Sequence, residues 1–144
     1  MKYFTLIFLT LIQGCSLFGG DDNSITLQPG SYEYKAYDAL DGELEYLDRL
    51  SFLTNLSFGE ITHDNSVSKS YECSGTWSFE SPRTLNIDNR MCRERSNFCS
   101  PCNPGDLDWK EWVSFSPIVV LVDIVDSGFY IIKSNSRDDF YRKM

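Results

Sequence analysis

From residue 30 onward the chain alternates between apolar and polar positions with a period of two. The clearest run spans residues 71–80. Its odd positions are Tyr71, Cys73, Gly75, Trp77 and Phe79; its even positions are Glu72, Ser74, Thr76, Ser78 and Glu80. Successive side chains of a strand point to opposite faces, whereas a helix would mix the two sets, so this run predicts a half-buried strand. Gly75 in its middle predicts a bulge or bend. Leu50, Phe52, Thr54, Leu56 and Phe58 form a second alternating run. Further strands are expected over residues 32–37, 84–87, 109–115, 118–125, 129–133 and 139–143. Turn chemistry separates them at Ser81-Pro82, Asp126-Ser127-Gly128 and Asn135-Ser136-Arg137-Asp138. Only residues 38–50 have helical character. There Leu40, Leu44 and Leu47 fall at i, i+4 and i+7, with Gly42 working against a helix. That stretch is expected to be one short helix across a barrel mouth, or a loop. The pattern predicts an all-β fold, an antiparallel up-and-down barrel of about eight strands. Closure into a barrel removes the bare edges that an open meander of apolar strands would expose.

The first fifteen residues follow a different rule. Lys2 gives a positive start, residues 3–12 are apolar apart from Thr5 and Thr10, and Ile12-Gln13-Gly14-Cys15 ends the run. The run is too short for a stable transmembrane helix and suits the apolar region of a secretory signal. Its last four residues resemble a bacterial lipobox. That resemblance implies removal of residues 1–14 and lipidation of Cys15, each buried acyl CH₂ contributing about 0.8 kcal/mol of anchoring. Ser16, rather than Asp, follows the cysteine, which by the same resemblance implies the outer membrane. Residues 15–28, with Gly19-Gly20-Asp21-Asp22-Asn23-Ser24, read as the lipidated cysteine and a flexible tether. Pro29-Gly30 opens a single domain expected to run over residues 29–144.

Gly75-Thr76-Trp77-Ser78-Phe79, followed by a turn and Leu85-Asn86-Ile87, resembles the central hairpin of small bacterial lipocalin-like lipoproteins. Phe140-Tyr141-Arg142-Lys143 is similar to their aromatic-basic last strand. The resemblance implies a calycin-type barrel that encloses a small apolar ligand. A long cysteine-bearing insertion departs from that family's pattern.

Composition narrows the partners. The chain carries 13 Lys and Arg against 21 Asp and Glu, for a formal net charge of −8. Loss of Lys2 with the leader makes the remainder one unit more acidic. Such a body does not bind nucleic acid or anionic membrane by charge, and it favours a basic protein partner. Aromatic residues make up 15% of the chain, enough to fill a barrel or to line an apolar pocket.

Besides Cys15 there are four cysteines, Cys73, Cys92, Cys99 and Cys102. In an exported chain they predict two disulfides, with three connectivities open. Cys99-Ser100-Pro101-Cys102 has the spacing of a redox dithiol, but Asn103-Pro104-Gly105 forbids the helix that would activate it, so it reads as a loop staple. A zinc site would ordinarily present two such knuckles, and only one is present, so no metal or other cofactor is expected. His63, in Thr62-His63-Asp64-Asn65-Ser66, reads as an exposed turn residue, and Asp106-Leu107-Asp108 as a solvated loop. Asp123 shares a face with Val119, Leu121 and Val125; it marks either the strand's emergence into solvent or a polar contact inside a pocket. Trp77, Phe79, Trp112, Phe115 and Asp123 are the candidate pocket residues, with plain core as the competing assignment for the aromatics.

With one histidine and no nucleophile motif, the chain is not expected to be an enzyme. The expected function is a lipid-anchored envelope lipoprotein that binds a small apolar ligand or lipid. The alternative is a protein-interaction or inhibitor lipoprotein, for example against a basic hydrolase such as lysozyme. Tyr71-Glu72-Cys73 is faintly similar to the tyrosine-x-cysteine strand of lysozyme inhibitors.

Overall fold

A computed structural model describes residues 26–80, 82–98, 103, 105, 107–134 and 136–144. Residues 1–25, which include the expected leader and Cys15, and Cys99, Cys102 and Asp106 lie outside the described residues. Nine strands follow one another: β1 (Gly30–Tyr37), β2 (Leu44–Phe52), β3 (Ser57–Asp64), β4 (Lys69–Glu80), β5 (Thr84–Ser96), β6 (Val113–Ser114), β7 (Ile118–Val125), β8 (Gly128–Lys133) and β9 (Ser136–Lys143). All pairings are antiparallel. β1 to β5 pair in sequence, β5 pairs with β7, β7 to β9 pair in sequence, and β9 returns to β1. Eight strands therefore close an up-and-down barrel. β6 lies outside the ring, on the stretch of β5 that runs past the start of β7. No helix occurs among the described residues.

Register explains which side chains fill the barrel. Directly opposed residues share a face, so Phe52↔Phe58, Trp77↔Ile87 and Phe129↔Tyr141 all point inward. At one end these residues form a solid aromatic core with Tyr32, Leu50, Leu85 and Val122. Phe52 and Phe129 are wholly buried. Phe52 meets Trp77 edge-on at 5.2 Å, and Phe129 stacks on Tyr141 at 5.1 Å. Trp77 Nε1 donates to Leu53 O at 3.0 Å and Tyr32 Oη donates to Gln28 O at 2.6 Å, so the large rings bury their polar atoms satisfied. This is the closed end. Here the chain enters β1, and the turns after β2, β4 and β7 lie here too.

Two glycines meet backbone too closely for any side chain. A Cβ on Gly75 would sit 2.6 Å from Asp88 O, where the β4–β5 register slips between Ser74 and Thr76. Gly128, at φ +155°, would place a Cβ 1.9 Å from Tyr141 O. Gly75 keeps β4 and β5 in contact across the slip, and Gly128 lets the start of β8 lie close against β9.

Residues 38–50 correct the sequence reading. They hold neither helix nor long loop: residues 44–50 belong to β2, and Leu40 is 96% exposed. Asp38 Oδ1 accepts from Leu40 N at 2.6 Å, and Gly42 takes φ +72°, so a tight turn joins β1 to β2. The inward set of β2 is Tyr46, Asp48, Leu50 and Phe52. A carboxylate in an inward place hid the alternation. The run from Leu50 to Phe58 is two strands, not one. A four-residue turn with Leu56 at φ 63° interrupts it, and an even number of turn residues preserves the period-two parity. The strand expected over 109–115 shrinks to Val113–Ser114.

Candidate functional site

The other half of the barrel is polar inside. Asp48 is buried, accepting from Thr62 Oγ1 at 3.0 Å and from Tyr141 Oη at 2.7 Å. Burial, reinforced by the Glu60 carboxylate, pushes the Asp48 carboxyl up to about 6. Burial, then the Asp48 charge, pushes the Tyr46 phenol up to about 12. The same two causes hold Tyr141 far above the ordinary tyrosine range. Tyr34 packs on Tyr46 and Tyr141 with ring centroids 6.0 and 5.5 Å apart, closing an aromatic wall around Asp48.

Glu60 stands beside this group and is paired with a base two strands away, across β4. Register sets Glu60 opposite Cys73 and Cys73 opposite Cys92, and the two cysteines are disulfide-bonded. Arg90 Nη2 lies 3.3 Å from Glu60 Oε2 and 3.6 Å from Cys73 Sγ. The Arg90 guanidinium also sits 5.7 Å from the centre of the Phe115 ring. The sequence left the disulfide pairing open; the register of β4 and β5 decides it for these two.

The mouth on this side carries a cleft of about 210 Å³. Tyr71, Cys92, Val113 and Phe115 give it apolar walls, and Arg93, Glu94, Lys110 and Glu111 frame it. The segment bearing β6 forms its outer lip. Lys110 N donates to Glu94 O at 2.9 Å and Phe115 N donates to Arg90 O at 2.8 Å, which staples the lip to β5 at both ends. Lys110 Nζ reaches Glu94 Oε1 at 2.6 Å. Behind the lip, the Arg93 guanidinium lies between Trp109 and Trp112, 4.9 and 4.6 Å from their ring centres, and also pairs with Glu72 at 2.5 Å.

The five sequence-predicted pocket residues are not brought together. Trp77 is in the closed-end core and Phe79 packs against it. Trp112 stacks on Arg93 outside the barrel. Phe115 alone lines the mouth cleft. Asp123 lies on the outer face of β7, where Arg137 pairs with it at 2.6 Å; the inward residues of that strand are Ile118, Val120, Val122 and Ile124. His63 also differs from its expected place. It belongs to β3 and is half-buried, with Nδ1 2.7 Å from Ser70 Oγ. Ser70 Oγ in turn donates to Asn97 Oδ1 at 2.6 Å. With its one proton committed to Asn97, Ser70 accepts the His63 Nδ1 proton. Ser70 is fully buried, so this chain of groups fixes β3, β4 and the end of β5 rather than presenting a nucleophile. Among the described residues no three His, Cys, Asp or Glu side chains are grouped to hold a metal ion.

Sequence reasoning missed Asp48, Glu60, Thr62 and Arg90. The signal available was parity: Asp48 occupies the place in β2 that Tyr46, Leu50 and Phe52 mark as inward. No protein-family profile, no curated protein and no solved structure matches this chain.

Proposed function

We propose that the protein is a non-enzymatic binding module of the cell envelope, holding a small apolar ligand or lipid segment at the mouth of its barrel. One observation carries the reading: the cleft of about 210 Å³ with apolar walls and charged rims where the barrel opens. Drug-sized ligands occupy roughly 300–1,000 Å³. This cleft therefore suits a short acyl segment or a single ring, its polar end held by Lys110. The closed end, filled by Phe52, Trp77 and Phe129, supplies rigidity and not volume.

The anchor belongs to the same proposal. A lipid on Cys15 and a tether through residue 28 would deliver the chain to Gly30, at the closed end. The mouth then faces away from the bilayer, toward ligands arriving from outside. Native mass spectrometry of the exported protein tests the ligand: a discrete lipid-sized adduct, lost in Val113→Asp, is the expected result. A bare wild-type protein over a range of cell extracts contradicts it. Metabolic palmitate labelling tests the anchor, with label and membrane association expected in wild type and absent in Cys15→Ser.

A further inference from the structure

The barrel wall closes unevenly. β1 and β9 pair only at Tyr32↔Lys143 and Glu33↔Arg142, and Met144 N donates to Ser31 O at 2.9 Å. Past Glu33, β1 pairs with β2 alone, and the first part of β9 pairs with β8 alone. Backbone N–H and C=O groups turn to alternate sides along a strand. Since Ser31 faces β9, Lys35 and Tyr37 turn theirs the same way, into the gap. Behind the gap, the Tyr34 and Tyr141 rings meet and seal the interior. In front of it lies a groove of about 410 Å³, lined by Glu33, Tyr34, Lys35, Tyr37, Phe140 and Arg142.

Among the side chains that line this groove Glu33 faces two bases, Lys35 and Arg142, while the Asp139 carboxylate beside Tyr34 is taken by Lys133. Glu33 and Arg142 are register partners, yet the Glu33 carboxylate is taken by Lys35 at 2.5 Å and by Arg49 at 2.7 Å. Among the described residues Arg142 has no ion-pair or side-chain hydrogen-bond partner. Arg83 and Arg95 also have no carboxylate partner among the described residues, but of the three only Arg142 lines this groove. Arg142 sits beside Tyr37 and Phe140, whose rings are on the outer face.

We propose that this seam docks an extended segment of a partner protein, one carrying a carboxylate side chain two residues from an aromatic or branched aliphatic side chain. The free backbone groups of Lys35 and Tyr37 pair with the segment, as an added strand pairs with a sheet edge. Alternate residues of a strand share a face and lie about 7 Å apart. One such residue sets its carboxylate on Arg142, and the next of that face rests on Tyr37 and Phe140. This site is separate from the mouth cleft and stands whether or not that cleft holds a ligand.

Fluorescence anisotropy on the full exported protein tests it, using a capped, labelled Thr-Glu-Thr-Phe-Thr peptide and its Thr-Gln-Thr-Phe-Thr analogue. The glutamate peptide is expected to bind. Arg142→Gln, or the glutamine peptide, should each weaken binding about tenfold, the scale of a lost charge-assisted hydrogen bond. Hydrogen–deuterium exchange should slow at residues 34–37 when peptide is added, and an unchanged unfolding curve for Arg142→Gln shows that the variant folds. Absence of binding at millimolar peptide overturns the proposal, as does equal affinity for the two peptides. Protection confined to residues 92–94 and 110–115 would move the peptide to the mouth and reject the seam. A dimer seen by sedimentation, with residues 34–37 protected before peptide is added, would make a second copy the occupant and also reject it.

Discussion

The two halves of one barrel interior use the same strands for opposite ends. At the closed end the inward places hold Phe52, Phe58, Trp77 and Phe129, packed ring against ring. A few residues further along the same strands, the inward places hold Asp48, Glu60, Thr62 and Arg90, satisfied through hydrogen bonds and one ion pair. Aromatic packing supplies net stability through area removed from water. The polar half is close to neutral in that respect, because desolvation of its charges offsets their pairing. An element that contributes little to stability is free to serve binding, and a cleft with largely apolar walls opens there.

This contrast can be broken at graded cost. Phe52→Ala should do the most damage, losing about 3–5 kcal/mol in denaturant unfolding, because it empties the centre of the aromatic cluster. Replacing Cys73 and Cys92 together by Ser should cost roughly 2–4 kcal/mol by releasing a cross-link between two long strands. A loss from the double serine variant larger than that of Phe52→Ala would contradict this order.

Asp48→Asn should act in the opposite direction, stabilising the protein at pH 7. The Asp48 carboxyl titrates near 6 when folded and near 3.8 when unfolded. The folded chain therefore holds a proton that the unfolded chain has released between those values. The stabilisation this proton gives is complete below the unfolded value and is lost as pH rises through about 6. At neutral pH the buried ion costs on the order of 2–3 kcal/mol. An amide accepts from Thr62 or Tyr141 but not both, which returns about 1 kcal/mol, so the net gain should be roughly 1–2 kcal/mol. The wild-type rise in stability on acidification from pH 6.5 to 4.5 should vanish in Asp48→Asn. Glu33 and Glu94, held below the ordinary range by their lysine partners, oppose this trend only weakly, because water screens both pairs. A variant less stable than wild type at pH 7 would mean that ionised Asp48 is compensated by a cation. Val113→Asp, on the exposed lip, should change stability by no more than about 0.5 kcal/mol while removing the apolar wall of the cleft.

Legibility in the sequence follows the same division. The closed end could be read because apolar residues recur every second place: Ile118–Val125 appears with the expected bounds, and Trp77 and Phe79 share the β4 face that the alternation marked. The eight-stranded closure also follows from strand spacing. The polar half could not be read the same way. Asp48 and Glu60 break the apolar rhythm where they face inward, so β2 looked helical and β3 looked like a turn around His63. Arg90 lies in β5 beyond the register slip opposite Gly75, where parity no longer carries over from Leu85 and Ile87. Trp112 and Phe115 carry aromatic signatures of a core strand, yet Trp112 stacks on Arg93 outside the barrel and Phe115 lies on the lip of the mouth beside the Arg90 guanidinium. Period counts apolar residues and does not register a cation that takes the place of a core.

The most direct test of the division is hydrogen–deuterium exchange of the protein with and without octanoic acid. The account predicts slowed exchange at residues 92–94 and 110–115, with no change around Phe52 and Phe129. Protection at the closed end, or none anywhere at saturating octanoic acid, would contradict it.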